Sequence, residues 1–371
     1  MRILKHRLAL VRQILSLESM IQESIVPPRP VPAELLPWAL SSLGVATNGH
    51  TQALTVVAGD ASNRRYFRLA LAGKSYVLAE APPATEKNEA FLGVREVLAA
   101  AGVKVPALYA ADMERGYMLL EDLCDRLLLP ELDAGSADHH YRSAFGVLRQ
   151  IAALDADRLD IPAYDQALLG EELSRFPTWF VEALLGYSPN DEERDLLQRF
   201  FARLIDSALE QPRVLVHRDF HSRNLMLRED GQLAVIDFQD AVVGPVTYDL
   251  VSLLRDCYIQ WPAGQVCDWA LQQRDALHTQ GLLPLVDDAC FLRWFDWMGL
   301  QRHIKVLGTF ARLYLRDGKS AYLDDLPLVI HYVLEILGKY AGEEAVFAEL
   351  NGWFGSRLSP LIARQDWSKK A

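Results

Sequence analysis

The chain has 371 residues, of which 50% are hydrophobic and 23% charged, and its formal net charge is −11. A chain of this length is more than one compact core usually organises, so we expect a globular protein of two lobes or domains. The acidic balance argues against nucleic acid or an anionic membrane as a general partner, because both require a basic surface. A local basic site for a phosphate group remains compatible with it.

Cysteine usage and hydropathy favour a reducing, aqueous environment. The cysteines are Cys124, Cys257, Cys267 and Cys290. They form no CxxC pair and no zinc-ligand spacing with histidine. No apolar run is long enough to span a bilayer, and Arg7 and Arg12 interrupt the apolar N-terminal stretch. We therefore expect a cytoplasmic protein without a signal peptide.

Residues 1–26 are predicted to form a loosely attached N-terminal extension. Apolar residues from Leu4 to Leu15 recur at helical spacing, which is compatible with a short amphipathic helix. The PPRPVP segment at 27–32 ends this stretch as a linker would, and translation from Met20 would remove most of it. The folded protein is expected to begin at about residue 27.

The first lobe is predicted over residues 27–122 and is rich in short strands. Strand-like runs occur in TQALTVVA, RYFRLALA, SYVLAEA and GYMLLEDL. One helical run, EKNEAFLGVREVLAAAG, separates the third strand from the fourth. Strands with a single inserted helix predict a small α+β lobe.

The second lobe, residues 123–371, is predicted to be mainly helical. Long amphipathic stretches dominate it, including HHYRSAFGVLRQIAALD and CFLRWFDWMGLQRHIKVLGTFARLYLRD. Only VLVHRDFHSRNLML at 214–227 and QLAVIDFQD at 232–240 interrupt them with strand-like pieces. Trp294, Trp297 and Phe310 lie at helical spacing and are expected in the core, not at a sugar-binding surface.

The segment VLVHRDFHSRNLML carries the clearest chemical signal. Its residues His217 to Asn224 match the H-R-D-x-x-x-x-N catalytic loop of protein-kinase-like phosphotransferases. Asp237, thirteen residues after Asn224, stands where that fold has its metal-binding aspartate. The alternative is a solvated hairpin in which Asp219 and Asn224 only shape turns, but such a hairpin requires no companion Asp237.

This resemblance implies a role for each polar group. Phosphoryl transfer needs a carboxylate that orients and deprotonates the acceptor hydroxyl, which is the implied role of Asp219. It also needs metal ligands that help neutralise the phosphates, the implied roles of Asn224 and Asp237. ATP and Mg²⁺ are therefore the implied cofactors.

Three further residues are expected to support the catalytic loop. The resemblance implies that His217 packs and forms hydrogen bonds within the loop. His221 could contact the γ-phosphate or have only a structural role, and both interpretations stay open. Asp249, in the sequence YDL, matches the helix aspartate that braces the loop through backbone hydrogen bonds.

From about residue 50 to 335 the sequence resembles the aminoglycoside phosphotransferase superfamily. GDASNRRYFRL at 59–69 is similar to its nucleotide loop, in which Ser62, Asn63 and backbone amides replace a glycine-rich flap. LLEDL at 119–123 resembles the interlobe hinge, where backbone groups from Glu121 to Leu123 would pair with adenine. The implied fold is α+β and protein-kinase-like, with a small sheet-rich lobe and a larger helical lobe.

One branch of this superfamily is similar in particular, the bacterial anomeric kinases of N-acetylmuramate and N-acetylglucosamine used in cell-wall recycling. The similarity lies in GPVTYDLVSLLRDCYIQWP at 244–262 and WMGLQRHIKVLGTFARLYLRDGK at 297–319. It implies an enzyme that makes the sugar α-1-phosphate with ATP and Mg²⁺. The candidate sugar-binding residues in these segments are Arg255, Arg302, His303 and Lys305.

The third strand lacks the lysine that holds the α- and β-phosphates in protein kinases. KSYVLAEAPP has Ala79 and Glu80 near the expected position. Arg64 is the predicted substitute, although it could also be an exposed turn residue. The alternative substitutes are Arg65, Lys74 and Lys87.

Two other functions stay open. Another small-molecule kinase of this fold would act on an aminoglycoside, choline or homoserine. An aminoglycoside site needs acidic groups for the ammonium groups, whereas the branch segments are richer in basic residues. A nucleotide-sensing pseudokinase fits the missing lysine, but the intact Asp219, Asn224 and Asp237 oppose it. The sequence indicates no particular oligomeric state.

Overall fold

The computed structural model describes residues 29–45, 53–57, 63–158 and 160–369. These residues belong to two compact units that divide between positions 51 and 52. In the first unit the described residues form helix α1 (Leu35–Ser42). The predicted extension, residues 1–26, lies outside the described residues, and the domain boundaries after positions 26 and 122 stay predictions.

An antiparallel sheet forms the small lobe of the second unit. Its strands are β1 (Thr55–Val57), β2 (Arg65–Leu71), β3 (Lys74–Glu80), β4 (Leu108–Asp112) and β5 (Tyr117–Glu121). They lie in the order β1-β2-β3-β5-β4. Helix α2 (Asn88–Ala100) connects β3 to β4. The register places Arg65 opposite Glu80, so a cation and an anion face each other across β2 and β3.

Strand β4 is absent from the sequence prediction, which gives the other four strands. None of the β4 residues is buried, because the strand lies at the sheet edge and pairs only with β5. A strand without a buried face lacks the hydrophobic alternation from which strands are predicted. The turn into β5 requires Gly116, whose φ is 70° and whose added Cβ would lie 1.9 Å from the Ala81 carbonyl oxygen.

The large lobe is built from helices. The α-helices are α3 (Ala137–Ala152), α4 (Gln166–Arg175), α5 (Asp191–Leu209), α6 (Tyr248–Leu254), α7 (Ala263–Thr279), α8 (Asp288–Asp317), α9 (Leu326–Tyr340), α10 (Ala345–Trp353) and α11 (Ser359–Ile362). The π-helical segments are Phe176–Leu184 and Phe354–Leu358. Short 3-10 turns lie at Leu129–Glu131, Ala156–Arg158, Ser320–Leu323 and Asp366–Lys369.

Two strand pairs interrupt the helices and position the polar motifs. Strand β6 (Arg213–Val216) pairs with β9 (Val242–Pro245), and β7 (Leu225–Leu227) pairs with β8 (Leu233–Val235). The loop between β6 and β7 carries the predicted catalytic residues, and Asp237 follows β8. The apolar strands predicted before both motifs are confirmed.

Helix α8 spans 30 residues and packs against much of the large lobe. The Asp287 side chain accepts a hydrogen bond from the Cys290 backbone N–H at 2.8 Å, which caps its N-terminus. Within the helix, Gly308 lets the π-helical segment approach, since an added Cβ would lie 2.3 Å from the Arg175 carbonyl carbon. The predicted core residues Trp294, Trp297 and Phe310 are buried.

The small antiparallel sheet and the mainly helical second lobe confirm the predicted α+β, protein-kinase-like fold. The four cysteines are free thiols. In the part of the chain that the structure describes, no helix combines the length and the apolar character needed to cross a bilayer.

Candidate active site

The catalytic loop, residues 217–224, is held at its start by Asp249 of α6. The Asp249 carboxylate accepts hydrogen bonds from the backbone N–H groups of His217, at 2.7 Å, and Arg218, at 3.0 Å. The His217 Nε2 atom lies 2.9 Å from the Ile236 carbonyl oxygen, which ties the loop to the end of β8. Arg218 has a φ of 75°, a conformation that is uncommon outside glycine and is concentrated at functional sites.

Asp219 lies in this loop and is a carboxylate at neutral pH. Burial raises its pKa, but the positive charges nearby, Lys305 foremost, lower it below its usual value. An ionised carboxylate can accept the proton of a hydroxyl group placed next to it. The loop therefore holds a carboxylate that could act as a general base.

Burial also shifts the pKa values of the residues that support Asp219. Burial raises the pKa of Asp249 to about 7, against the two backbone N–H donors, which favour its charged form. Burial also lowers the pKa of His217 to about 4, so this ring is neutral at neutral pH. The His217 ring accordingly acts through packing and hydrogen bonds within the loop.

Asn224 and Asp237 lie side by side where the loop meets the end of β8. The Asn224 Nδ2 atom lies 3.4 Å from Asp237 Oδ2 and donates to the Asp219 carbonyl oxygen at 3.0 Å. An amide oxygen and a carboxylate suit Mg²⁺, which binds few protein ligands and completes its coordination with phosphates and water. Among the described residues, no group of three or more His, Cys, Asp or Glu could hold a metal. The pair therefore fits a metal shared with a nucleotide.

The predicted nucleotide loop is described in part. Ser62 lies outside the described residues. The Asn63 backbone N–H donates to Glu86 Oε1 at 3.0 Å, which connects this end of the loop to the segment before α2. Arg64 is buried, and its guanidinium lies 4.8 Å from the centre of the Phe91 ring. Arg64 is thus an interior residue and not an exposed turn charge.

The other basic candidates of the small lobe lie elsewhere. Glu80, near the strand position at which a lysine is expected, forms an ion pair with Arg65. Lys74 is exposed at the start of β3. Lys87 is exposed and pairs with Asp240 at 2.7 Å. Arg64 is the buried cation of the small lobe, and it contacts Gln239, two residues after Asp237, at 3.3 Å.

The predicted hinge follows β5. The Glu121 carboxylate accepts hydrogen bonds from the Ala107 N–H at 3.1 Å and from Arg228 at 2.8 Å. Its side chain is therefore bound within the protein. Neither main-chain polar group of Leu123 forms a hydrogen bond with a described residue. These two groups have the donor and acceptor character that the edge of adenine requires.

An apolar cluster separate from the main core lies beside the hinge. Leu123, Met226 and Ala234 form it, and Leu127 and Ile236 pack against it. Met226 lies two residues after Asn224, and Ile236 directly precedes Asp237. An adenine ring next to Leu123 would therefore find an apolar surface close to Asn224 and Asp237.

Glu172 of α4, which the sequence analysis did not predict, is a fully buried anion behind the catalytic loop. Its carboxylate pairs with Arg218 and accepts a hydrogen bond from the Tyr164 hydroxyl. The Lys305 Nζ atom lies 3.2 Å from the carboxylate and 2.9 Å from the Tyr248 hydroxyl. Burial raises the pKa of Glu172, but Lys305 and Arg218 lower it to about 2. Glu172 thus balances two of the cations that act on Asp219.

The four candidate sugar-binding residues are buried on or near α8. Arg255 forms an ion pair with Asp296 at 2.7 Å. The His303 Nε2 atom lies 3.0 Å from the Arg255 carbonyl oxygen, and Lys305 is paired with Glu172. Arg302 contacts Cys257 Sγ at 3.4 Å and forms no ion pair with a carboxylate of the described residues.

Arg302 lies against the segment that supports the far side of the catalytic loop. Asp256 accepts a hydrogen bond from the Ser222 backbone N–H at 3.0 Å. The Tyr258 ring packs edge-on against His221, with ring centres 5.4 Å apart. Cys257, the residue between them, is the one that Arg302 contacts. Arg302 therefore contacts the same stretch of chain, residues 256–258, that supports the catalytic loop.

Several residues at the site carry no sequence signal that identifies them. Glu172 pairs with Arg218, Asp256 with Ser222 and Gln239 with Arg64 across 34 or more positions, so no local spacing reveals these contacts. Met226 could have been found, because it sits in a short strand directly after the catalytic loop. A side chain in that position faces either the core or the nucleotide.

The fold and the geometry of this loop define a kinase-like phosphotransferase. Residues 53–285 match the model of the phosphotransferase enzyme family, and the chain belongs to this family.

Curated relatives cover most of the chain. A Pseudomonas putida protein named N-acetylmuramate/N-acetylglucosamine kinase is 42% identical over 77% of this chain and 84% of its own length. Proteins of the same name from Pseudomonas aeruginosa and Neisseria meningitidis are 43% and 39% identical. The match to the Pseudomonas aeruginosa protein covers 76% of this chain and 82% of that protein. The match to the Neisseria meningitidis protein covers 80% of this chain and 89% of that protein.

Solved structures share the fold at low sequence identity. A Plasmodium vivax ethanolamine kinase has a TM-score of 0.61 and 10% identity, over 86% of this chain and 94% of its own. An ADP-bound aminoglycoside phosphotransferase has a TM-score of 0.55 and 14% identity, over 82% and 99%. These likenesses show the protein-kinase-like fold.

Proposed function

We propose that this chain is an ATP-dependent kinase of N-acetylmuramate and N-acetylglucosamine. It transfers the γ-phosphoryl group to the anomeric hydroxyl and gives the α-1-phosphate, for use in cell-wall recycling in the cytoplasm. The observation that carries the kinase chemistry is the position of Asp219 in a loop whose Asn224 contacts both the Asp219 main chain and Asp237. The choice of sugar is supported by relatives of that name at about 40% identity.

The reaction requires one proton transfer and one displacement at phosphorus. Asp219 accepts the proton of the sugar hydroxyl, the hydroxyl oxygen forms a bond to the γ-phosphorus, and the bond to the β-phosphate oxygen breaks. The anomeric hydroxyl is more acidic than an ordinary alcohol, because the ring oxygen withdraws charge from C1. A single carboxylate with a lowered pKa is therefore a sufficient base.

The remaining groups bind and orient the nucleotide. Asn224 and Asp237 would hold Mg²⁺, which supplies positive charge to the phosphates when it is bound. The Leu123 main chain would pair with adenine, and the loop with Ser62 and Asn63 would cover the phosphates. Arg64 replaces the strand lysine as the cation of the small lobe. These assignments position ATP without a covalent step on the protein.

Arg302 is the proposed specificity residue for the lactyl group of N-acetylmuramate. That group carries a carboxylate at neutral pH, and burying it without a cation would be costly. Of the four candidates, Arg255 and Lys305 already pair with buried carboxylates, and His303 has a pKa lowered to about 3 by burial, so its ring is neutral. Arg302 keeps its charge without an anionic partner among the described residues.

The proposed reaction is tested by a comparison of acceptors. ATP consumption by the purified protein should occur with N-acetylmuramate and N-acetylglucosamine and not with kanamycin, choline or homoserine. Phosphorus NMR should show coupling of the new phosphate to the anomeric proton, and the product should be labile to acid. Coupling to the C6 protons would refute the anomeric assignment, and turnover with choline alone would refute the proposal that the substrate is a sugar.

The role of Arg302 is tested on both sugars. Arg302→Met should reduce kcat/KM for N-acetylmuramate by a factor equivalent to about 1.5 to 3 kcal/mol of transition-state stabilisation, the range for a hydrogen bond to a charged group. N-acetylglucosamine lacks the carboxylate and should be used almost as before. Arg293→Met, on the same helix but paired with Glu210, is the matched control. Equal losses on the two sugars would refute the assignment of Arg302.

A further inference from the structure

We propose that Gln239 is a positioning residue that fixes the orientation of the Asp237 carboxylate and couples it to Arg64. Gln239 occupies the position directly after the DF pair of the metal-binding turn. The coupling goes beyond the proposed reaction because it concerns how the two lobes share control of the metal ligand. It rests on the proposed role of Asp237 as that ligand.

The hydrogen bonds of Gln239 determine how its amide is oriented. Its Nε2 atom donates to Asp237 Oδ1 at 2.7 Å, and its Oε1 atom accepts from Arg64 at 3.3 Å. A carboxylate only accepts and a guanidinium only donates, so the reverse orientation of the amide would lose both bonds. Gln239 is therefore suited to connect an anion with a cation, a task that neither an acid nor a base at this position could perform.

The Arg64 end of this connection is anchored in the small lobe. The Arg64 guanidinium lies 3.5 Å from Asn88 Oδ1 and 4.8 Å from the centre of the Phe91 ring, both on α2. Asn88 in turn donates to the Ala81 carbonyl oxygen at 2.7 Å, at the end of β3. Arg64 therefore links Gln239 to helix α2 of the small lobe.

The aromatic residue of the proposed metal-binding turn also packs against α2 of the small lobe. Phe238 is fully buried and stacks on Phe91, with ring centres 4.9 Å apart and an angle of 27° between the planes. Asp237 itself has a φ of 64°, which is uncommon for a residue with a side chain. The backbone of the turn is thus held by packing on α2, and the direction of the Asp237 carboxylate is held by Gln239.

The experiment separates metal affinity from nucleotide affinity. Mn²⁺ binding to the complex of the full chain with ADP is measured by electron paramagnetic resonance, and ADP binding without metal is measured by calorimetry in EDTA. Gln239→Met keeps the length of the side chain and removes both hydrogen bonds. It should weaken Mn²⁺ binding by roughly tenfold, the lower range for loss of an outer partner of a metal ligand, and leave metal-free ADP binding unchanged.

A second substitution tests the coupling from its other end. Arg64→Met should weaken Mn²⁺ binding, and in the Gln239→Met background it should cause little further loss. Gln232→Leu, an exposed amide in the turn before β8, is the control and should bind Mn²⁺ as the original protein does.

The outcomes distinguish the coupling from the metal role of Asp237. If the unsubstituted complex binds no Mn²⁺, or Asp237→Ala does not abolish binding, the proposed metal site fails. If that site binds Mn²⁺ and Gln239→Met binds it equally well, the positioning role is refuted. Independent, multiplying losses from the two substitutions would refute the coupling. Should Gln239→Met not fold, an unchanged Mn²⁺ affinity of Arg64→Met refutes the coupling by itself.

Discussion

Two charged clusters of the large lobe contain the same kinds of side chain around a buried carboxylate and differ in their surroundings. The loop cluster consists of Glu172, Arg218, Lys305 and Tyr164. The helix cluster consists of Asp296, Arg255, Lys339 and Tyr340. In each, a carboxylate that is 0% exposed pairs with one arginine and one lysine and accepts a hydrogen bond from a tyrosine hydroxyl.

The clusters differ in what their cations touch next. In the loop cluster, Arg218 directly precedes Asp219, and Lys305 is the charge that lowers the pKa of Asp219 most. In the helix cluster, Arg255 joins the end of α6 to α8. Lys339 pairs with Asp296 from α9, and the Lys339 side chain is itself 44% exposed. The first cluster therefore acts on Asp219, the proposed base, as well as on the fold, and the second connects helices.

The comparison shows that a buried ionic group does not by its composition indicate function. Both clusters need their anion, because removal of one partner leaves uncompensated charge in the interior. Only the position of the catalytic loop separates a cluster that tunes a reacting group from one that holds helices together. Substitutions at matching positions of the two clusters should therefore agree in stability and differ in catalysis.

The largest effect is expected at the group that the loop cluster serves. Asp219→Asn should lower kcat by a factor on the order of 10² to 10⁴, the usual contribution of general base catalysis. ATP binding should be nearly unchanged, because Asn224 and Asp237 remain. Steady-state kinetics and calorimetry of ATP binding measure the two quantities. An Asp219→Asn protein with the original turnover would contradict the role of Asp219 as base.

The next prediction compares the two anions directly. Glu172→Gln and Asp296→Asn should each reduce the free energy of unfolding by about 3 to 5 kcal/mol, because each leaves a largely buried arginine without its carboxylate. Chemical denaturation measures both losses. At a temperature where both proteins are folded, Glu172→Gln should also reduce kcat, and Asp296→Asn should not. A loss of kcat in Asp296→Asn alone would reverse the interpretation of the clusters.

The lysines of the two clusters give a smaller and more specific difference. Lys305 lowers the pKa of Asp219, so Lys305→Met should raise that pKa and move the acid limb of the kcat/KM profile to higher pH. Lys339→Met removes the matching charge from the helix cluster and should leave the limb in place. Profiles recorded between about pH 4 and 8 show the difference. An unshifted limb in Lys305→Met would mean that its charge does not reach Asp219.

The last prediction concerns acid stability near the helix cluster. Burial lowers the pKa of His303 from 6.5 to about 3, so the folded protein resists protonation that the unfolded chain accepts. The stability that depends on a neutral His303 is present above pH 6.5 and is lost as the pH falls below it, by at most about 1.4 kcal/mol per pH unit. His303→Gln should reduce this slope between pH 6 and about pH 4. Urea titrations at several pH values measure it, and an unchanged slope would contradict the prediction.

The sequence by itself determined the parts of the protein that depend on short-range patterns. The apolar runs before Asp219 and Asp237 predicted the strands that position them, and the period of the apolar residues predicted helix α8. The spacing of Asp219, Asn224 and Asp237 predicted a common site, because a loop and a turn that follow paired strands end near each other. Strand β4 was missed since it has no buried face.

Only the tertiary structure decided which charges act together. Glu172 and Lys305 are 133 positions apart along the chain and meet at 3.2 Å, and Gln239 reaches Arg64 from the other lobe at 3.3 Å. The sequence favoured the basic run beginning at Arg302, with Arg255 as the alternative, but it could not give their partners. Folding paired Arg255 and Lys305 with buried carboxylates and left Arg302 beside a thiol. The strength of a charge depends on burial and on partners brought from distant segments, and neither is encoded in local spacing.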